Sequence, residues 1–159
     1  MFLIDAPFVS EYLKQTLQEL KNPVIQTAYA EEALAGYKIN YISERKAVQT
    51  YNSDRQIQFH TNPENALDWI LAQFPGSELA LIVAQLKDKV CFRDVLAQIH
   101  PGYYYSGCPY GELQNVDSAS LPFPVILKPS VGFFSLGVQR VDNQDQWVDT
   151  LSTLNMMTS

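Results

Sequence analysis

The sequence predicts an α/β fold in which a mostly parallel sheet, flanked by helices, is followed by a β-hairpin and a further helix. Three observations support this prediction. The chain opens with a strand, a helix and a strand in that order, which is typical of a parallel sheet. Apolar residues then recur at helical spacing in several later segments. Finally, residues 124–141 have the pattern of a strand, a loop and a second strand.

The β-α-β opening covers residues 2–25. Phe2-Leu3-Ile4 is a short apolar run before a turn at residues 5–7, and we interpret it as a buried strand. A helix is predicted over residues 8–21 and stops at Asn22-Pro23, because proline cannot continue a helix. Val24-Ile25 follows as the second strand. The predicted inward face of the helix consists of Val9, Tyr12, Leu13, Thr16, Leu17 and Leu20.

The next part of the chain carries weaker signals, and residues 37–42 fit either a strand or the edge of a helix. The charged residues Glu44, Arg45 and Lys46 are interpreted as a solvated helix face. The remaining predictions are a helix over Ala30–Ala35 ending at Gly36, a helix from a Ser43 cap to Tyr51, and a strand over residues 56–60 with Ile57 and Phe59 on one side.

Two further helices and one strand are predicted between residues 62 and 102. Asn62 is interpreted as an N-cap with Pro63 in the first helical position, and Pro75-Gly76 ends that helix. Leu79–Val83 is a continuous apolar run, and we predict a strand that is buried on both faces. Asp88 caps the second helix. The two predicted apolar faces are Ala66, Leu67, Ile70, Leu71 and Phe74, with Trp69 at the border, and then Phe92, Val95, Leu96 and Ile99.

A turn-rich segment, Pro101–Leu121, is interpreted as a linker with one short strand around Tyr103–Tyr105, and its tyrosines are expected to pack against the core. A domain boundary is expected near residues 112–120. Beyond the hairpin, Asn143 and Gln146 form a variant of the capping box. The helix that follows is predicted to present Trp147, Val148, Leu151 and Leu154 on its apolar face.

The hairpin carries the clearest chemical signal. Lys128 ends the apolar run Val125–Leu127, and Pro129 prevents a further ladder bond. The loop that follows, residues 130–137, contains two glycines and two serines. A lysine beside converging backbone amides suits a polyphosphate. The pattern is neither GxGxxG nor a Walker loop, since the lysine precedes the loop. The alternative interpretation is an ordinary hairpin whose lysine reaches solvent.

Composition excludes several classes of function. The formal net charge of −6 argues against a broad nucleic-acid or membrane surface. No apolar run approaches the roughly 20 residues that span a bilayer, and no signal peptide is recognisable, so a cytoplasmic location is expected. Cys91 is interpreted as a core thiol and Cys108 as a turn residue. Together with the isolated His60 and His100, they predict no metal site.

The pattern Pro-Val-Ile-Leu-Lys-Pro followed by Ser-Val-Gly-Phe-Phe-Ser-Leu-Gly-Val resembles the nucleotide-binding hairpin of the ATP-grasp family. Asp88-Lys89 resembles a pair found after the last strand of the N-terminal domain in that family. The resemblance implies a Rossmann-like leading domain over residues 1–112, a linker over 113–121 and an incomplete nucleotide-binding domain over 122–159. It also implies ATP-phosphate contacts from Lys89, Lys128, Ser130, Gly132, Ser135 and Gly137, with Lys87 or Arg93 as alternatives to Lys89.

The same resemblance implies an ATP-dependent ligase that joins a carboxylate to an amine or thiol through an acyl phosphate. Its partners would be ATP with Mg²⁺, a small carboxylate and an amine-type nucleophile. The adenine hinge, the metal ligands and the catalytic arginine of the family have no counterpart here. We therefore expect an N-terminal fragment that is not competent alone and binds ATP weakly or not at all. The alternative is a non-catalytic Rossmann-like module that binds a partner or forms a homodimer through free strand edges.

Overall fold

A computed structural model of the protein describes residues 1–132 and 137–157, and it describes side chains up to residue 154. The chain divides into two compact units, Met1–Val83 and Ala84–Ser159. The division falls within one helix, Glu78–Lys87. In the part of the chain that is described, no helix combines the length and the apolar character needed to cross a bilayer.

The first unit is built on a four-stranded sheet in which every neighbouring pair is parallel. Its order, β3-β2-β1-β4, places the first strand between the second and the fourth. Phe2 pairs with Val24 on one side and with His60 on the other. The predicted α/β class is confirmed. The strands are β1 Phe2–Ile4, β2 Val24–Gln26, β3 Tyr41–Ser43 and β4 His60–Asn62.

Hydroxyl side chains start three of the helices in this unit. Ser10, Thr27 and Ser43 each accept a hydrogen bond from the amide three residues ahead, at 3.1–3.3 Å. Such bonds satisfy donors that would otherwise lack a partner in the first turn. The helices are α1 Glu11–Leu20, α2 Ala28–Ala33, α3 Glu44–Ser53, α4 Leu67–Gln73 and α5 Glu78–Lys87, with a 3₁₀ turn at Glu64–Ala66 before α4.

The core lies on both faces of the sheet, because neighbouring strand residues point to opposite sides. Leu3 and Ile25 belong to one buried cluster, whereas Ile4 and Val24 belong to the other. Helices α1 and α2 cover the second face and α3 and α4 cover the first. The first cluster adds Ala47, Tyr51, Ala66, Ile70, Phe74 and Val83, and the second adds Val9, Leu17, Ala30 and Leu34.

The predicted strand at Leu79–Val83 is wrong, since this run lies inside α5. Ser77 Oγ accepts a hydrogen bond from the Ala80 amide at 3.1 Å and so starts a helix there. Leucine and alanine are strong helix formers, and a short apolar run fits a helix or a strand equally well. The expected burial on both faces also fails, because Leu81 and Ile82 are exposed.

The predicted start of α4 is also wrong. Asn62 ends β4, and its side-chain amide donates to the Phe8 carbonyl at 3.1 Å instead of capping the helix. Pro63 precedes the 3₁₀ turn and makes no side-chain cap bond. The strand predicted over residues 56–60 is shifted to His60–Asn62, because pairing with β1 fixes the register. Ile57 and Phe59 still pack against the core.

Smaller corrections concern the first half of the chain. Helix α1 begins at Glu11 rather than at residue 8, and α2 covers Ala28–Ala33 rather than Ala30–Ala35. Tyr12 and Leu20 were expected inside but are exposed, because the sheet covers only one narrow stripe of α1. Of the residues 37–42, which fitted a strand or a helix edge, only the last two are strand, as part of β3, and residues 37–40 are neither strand nor helix. The solvated charged face of α3 is confirmed.

The second unit contains α6 Lys89–Ala97, two 3₁₀ turns at Tyr110–Asn115 and Ser118–Ser120, and a hairpin that leads into α7 Gln144–Met157. The hairpin strands, β5 Val125–Leu127 and β6 Gln139–Val141, pair in antiparallel fashion, with Ile126 opposite Arg140. Among the described residues of this unit, the buried apolar side chains are Val141 and Trp147.

This sparse burial explains why several inward-facing predictions fail here. Phe92, Ile99 and Val148 are exposed, because a two-stranded sheet offers little surface to cover them. Cys91 is exposed and is not a core thiol; Cys108 is exposed as well. The strand predicted at Tyr103–Tyr105 is irregular chain. Packing of the tyrosines against the core is wrong for Tyr103, Tyr104 and Tyr110, which are exposed.

Candidate functional site

The hairpin places Lys128 directly after the last paired residue of β5. Leu127 pairs with Gln139, and the chain then leaves the ladder at Lys128-Pro129. Lys128 is exposed, and it makes no hydrogen bond or ion pair with any residue in the described ranges 1–132 and 137–157. Its ammonium group is therefore available to an anion from solvent.

The two glycines of the hairpin loop both have backbone conformations that favour glycine. Gly132 has a φ of 150° and Gly137 a φ of 70°. A Cβ atom on Gly137 would lie 3.1 Å from Cγ and 3.3 Å from Cδ of Pro129. Gly137 is therefore required by its conformation and by its close approach to the proline ring. The predicted site residue Ser135 lies outside the described residues.

Asp88 caps helix α6 with its carboxylate. Oδ1 accepts hydrogen bonds from the amides of Val90 at 2.8 Å and of Cys91 at 3.0 Å. These bonds, that from Cys91 above all, hold the pKa of Asp88 below its ordinary value, and a hydrogen bond with the Ser130 side chain lowers this pKa further. The predicted N-cap is confirmed, and the carboxylate stays ionised around neutral pH.

Lys89 is bonded to the backbone of the hairpin loop. Its amide donates to the Ser130 carbonyl at 2.8 Å. Its Nζ donates to the Gly132 carbonyl at 2.8 Å and, less closely, to the Ser130 carbonyl at 3.4 Å. The structure therefore brings Lys89, Ser130 and Gly132 together, although more than 40 residues separate Lys89 from the loop in sequence.

Lys87 and Arg93, the alternatives to Lys89, lie in different parts of the structure. The guanidinium of Arg93 lies 5.5 Å from the ring centroid of Tyr103, which is a cation–π distance. Lys87 is the last residue of α5. The described contacts thus connect Lys89 to the hairpin loop and Arg93 to the segment that follows α6.

Sequence reasoning missed how that following segment is attached to α6. The Tyr105 hydroxyl donates to Asp94 at 2.7 Å, and this bond raises the pKa of Tyr105. A Cβ atom on Gly107 would lie 2.9 Å from Cγ1 of Val90. Residues 105–107 therefore run against α6 on the face of Val90 and Asp94. Gly107 lies in a segment rich in turn residues, so its sequence context gave no sign that it packs against a helix.

Two more contacts fix helix α7. Asn143 Oδ1 accepts from the Gln146 amide at 3.0 Å, and Gln146 Oε1 accepts from the Asp142 amide at 2.6 Å. The predicted variant of the capping box is confirmed.

A cavity of about 230 Å³ lies between the 3₁₀ turn Tyr110–Asn115 and α7, but none of the predicted site residues lines it. Its lining residues are Tyr110, Gly111, Leu113, Gln114, Leu151 and Leu154.

Metal ligands do not cluster in the described part of the chain. Within residues 1–132 and 137–157, no group of three histidine, cysteine, aspartate or glutamate side chains is placed to hold a metal ion. The described residues of the hairpin site are cationic or neutral, apart from the Asp88 carboxylate. This donor set suits an anionic ligand rather than a cation.

Comparison with known families identifies the C-terminal segment. The family model of the ATP-grasp domain matches residues 121–159, which include the hairpin and helix α7. The ATP-grasp resemblance is thereby confirmed over this segment. No curated protein and no solved structure matches the chain. The matched segment includes Lys128, Ser130, Gly132 and Gly137, while Lys89 lies before it.

Proposed function

We propose that the second unit contains the polyphosphate-binding part of an ATP-dependent ligase that joins a carboxylate to an amine or thiol. The observation that carries the proposal is the contact of Lys89 with Ser130 and Gly132, directly after Lys128 and in the segment that matches the ATP-grasp domain. Lys89 is thus bonded to the loop that follows Lys128, although the two lysines are far apart in sequence.

The proposed reaction has two steps. A carboxylate oxygen attacks the γ-phosphorus of ATP, so that an acyl phosphate forms and ADP leaves. The amine or thiol then attacks the acyl carbon, phosphate leaves, and the nucleophile loses a proton. Phosphoryl transfer needs positioning and charge stabilisation more than covalent help from the protein.

The residues of this chain would supply that positioning. Lys128 would place an ammonium beside the phosphates. The Ser130 hydroxyl would donate to a phosphate oxygen only by giving up its hydrogen bond with Asp88. Gly132 and Gly137 allow the loop its positive φ values, and the backbone amides of such a loop can converge on phosphate oxygens. On a chain with a net charge of −6, these local cations would be the attraction for an anion.

Nucleotide phosphates and magnesium fit the described residues differently. The Lys128 ammonium, which has no partner among the described residues, and the backbone amides of the serine and glycines suit phosphate oxygens. Mg²⁺ requires oxygen ligands, usually carboxylates, and no group of three metal-ligating side chains occurs among the described residues. Members of the ATP-grasp family use magnesium with ATP.

Nucleotide binding by the full chain tests the proposal. A fluorescent ATP analogue is titrated into the unmodified protein, into Lys128→Met and into Lys38→Met, a matched control on the first unit. Loss of one charged phosphate contact costs about 1.5–3 kcal/mol, so Kd should rise roughly tenfold to a hundredfold in Lys128→Met. Lys38→Met should leave Kd unchanged. No binding at millimolar nucleotide, or equal effects of both variants, would overturn the proposal.

Release of ADP tests the reaction class separately. The protein is incubated with ATP, magnesium, a panel of carboxylates and a panel of amines and thiols. Release that depends on both a carboxylate and a nucleophile supports the ligase assignment. Binding without such release is expected if this chain is not competent alone, so the presence of release, and not its absence, decides the reaction class.

A second candidate function is self-association through the hairpin. Among the described residues, β5 and β6 pair only with each other, and Ile126 is 56% exposed on β5. Unpaired strand edges invite pairing with another chain. Light scattering after size exclusion at several concentrations tests this reading. A dimer that Ile126→Lys dissociates would support it, and a strict monomer would refute it.

A further inference from the structure

The ammonium of Lys89 is held by backbone carbonyls and not by a carboxylate. Nζ donates to Gly132 and Ser130, and no ion pair of Lys89 occurs among the described residues. A carbonyl dipole does not neutralise the charge. Lys89 therefore stays a net cation while it binds the loop.

The geometry of an ammonium group allows two roles at once. Three N–H donors are present, and two of them point to the carbonyls of Gly132 and Ser130. Within the described ranges 1–132 and 137–157, the third donor has no acceptor. Lys89 can thus keep its bonds to the loop while it donates to a phosphate oxygen.

The Asp88 cap orients this lysine. Its bonds to the amides of Val90 and Cys91 fix the first turn of α6 on either side of the Lys89 side chain. The Lys89 amide, which the first turn leaves without a helical partner, donates to Ser130 instead. The helix start and the loop therefore share one hydrogen-bond network.

We propose that Lys89, oriented by the Asp88 cap, is a positioning residue that sets the backbone of Ser130–Gly132 before any nucleotide binds. This inference rests on the proposed function, since the segment it positions is the one assigned to phosphate binding. Lys128 has the complementary role: it binds the ligand but does not determine the backbone conformation of the loop. The two lysines of the site then differ in what they contribute.

Hydrogen exchange of the full chain without nucleotide separates these roles. The reporter is the backbone amide of residue 89, which survives every substitution of that side chain and donates to the Ser130 carbonyl. In Lys89→Met the protection of this amide should fall about tenfold, because a charged hydrogen bond that holds its acceptor is lost. Lys89→Arg should recover part of it. Lys128→Met, the matched control, should change it less than about twofold.

The amide of Trp147, which donates to Asn143 at 3.1 Å, monitors folding of the same unit. Unchanged protection of residue 89 in Lys89→Met, with Trp147 also unchanged, would overturn the inference. A second measurement needs no variant: the ammonium protons of Lys89 should exchange with water more slowly than those of Lys128, and equal rates would also overturn it. Absent nucleotide binding would refute the proposed function while leaving these results intact.

Discussion

Gly137 offers the sharpest test of the hairpin geometry. Its φ of 70° lies in the left-handed region, and a Cβ would meet the Pro129 ring at 3.1 Å. Gly76 is a matched control, with a φ of 72° and nothing within 4 Å of its Cβ position. An alanine at either position would lose the same free energy from the left-handed backbone. Only at Gly137 would its Cβ also clash with a neighbour.

The expected loss in the free energy of unfolding is the sum of the backbone contribution and the steric contribution. A left-handed conformation costs a non-glycine residue roughly 1–2 kcal/mol, and overpacking adds about 1–3 kcal/mol. Gly76→Ala should therefore lower the free energy of unfolding by about 1–2 kcal/mol, and Gly137→Ala by about 2–5 kcal/mol. The gain of about 0.4–1 kcal/mol from a less flexible unfolded chain is common to both.

Fluorine NMR can follow the unfolding of each unit separately in the same protein, and so can compare the two glycine variants. The two tryptophans of the chain, Trp69 and Trp147, lie one in each unit. With 5-fluorotryptophan each unit gives its own signal during a urea titration. Pro129→Ala should reduce the cost of Gly137→Ala to that of the control. Equal costs for the two glycine variants would refute the contact with Pro129, and no cost for either would refute the left-handed backbone.

Three further predictions concern the helix starts and the covering segment. Gly107→Ala should destabilise the second unit by about 1–3 kcal/mol through the clash with Val90, and Val90→Ala should relieve it; additive costs in urea titrations would contradict this. Asp88→Asn should remove an acid-dependent part of stability. Because the folded pKa of Asp88 is lowered, its contribution is present above the unfolded pKa and disappears as pH falls through the folded one, so stability measured at falling pH should decline less in the variant. Ser10→Ala should cost about 1 kcal/mol and Ser10→Gly only a few tenths; equal losses in thermal unfolding would show that the α1 cap bond is unimportant.

The strands of the sheet were predictable where apolar runs had clear turns beside them. Phe2–Ile4 and Val24-Ile25 are confirmed for that reason. Leu79–Val83 was wrong because a short run of leucine, alanine and isoleucine fits both helix and strand. The deciding feature was the Ser77 cap, which looks like an ordinary loop serine in the sequence.

Burial in the second unit could not be predicted from periodicity. Phe92, Ile99 and Val148 lie at helical spacing that suits an apolar face. Whether such a face is covered depends on the area of its neighbours, and the two-stranded hairpin has little to offer. Periodicity reports which residues share a face, but not what lies against it.

The site was predicted in part. The hairpin is confirmed, its register comes from the structure, and the family comparison agrees over residues 121–159. The choice among Lys87, Lys89 and Arg93 stayed open in the sequence, since all three lie near the α6 start. The contacts of Lys89 depend on a loop more than 40 residues away, which local patterns do not encode. Assignment of all six predicted residues to phosphate binding stays a prediction.

The short passage from β6 into α7 has a mechanical consequence. Only Asp142 and Asn143 separate the strand from the helix, and each is bonded to Gln146. On the other side of the hairpin, Ser130 is tied to α6 by Lys89. The two arms of the hairpin are thus anchored to two different helices. Because the ladder between β5 and β6 joins these two attachments, the hairpin links the start of α6 to the start of α7.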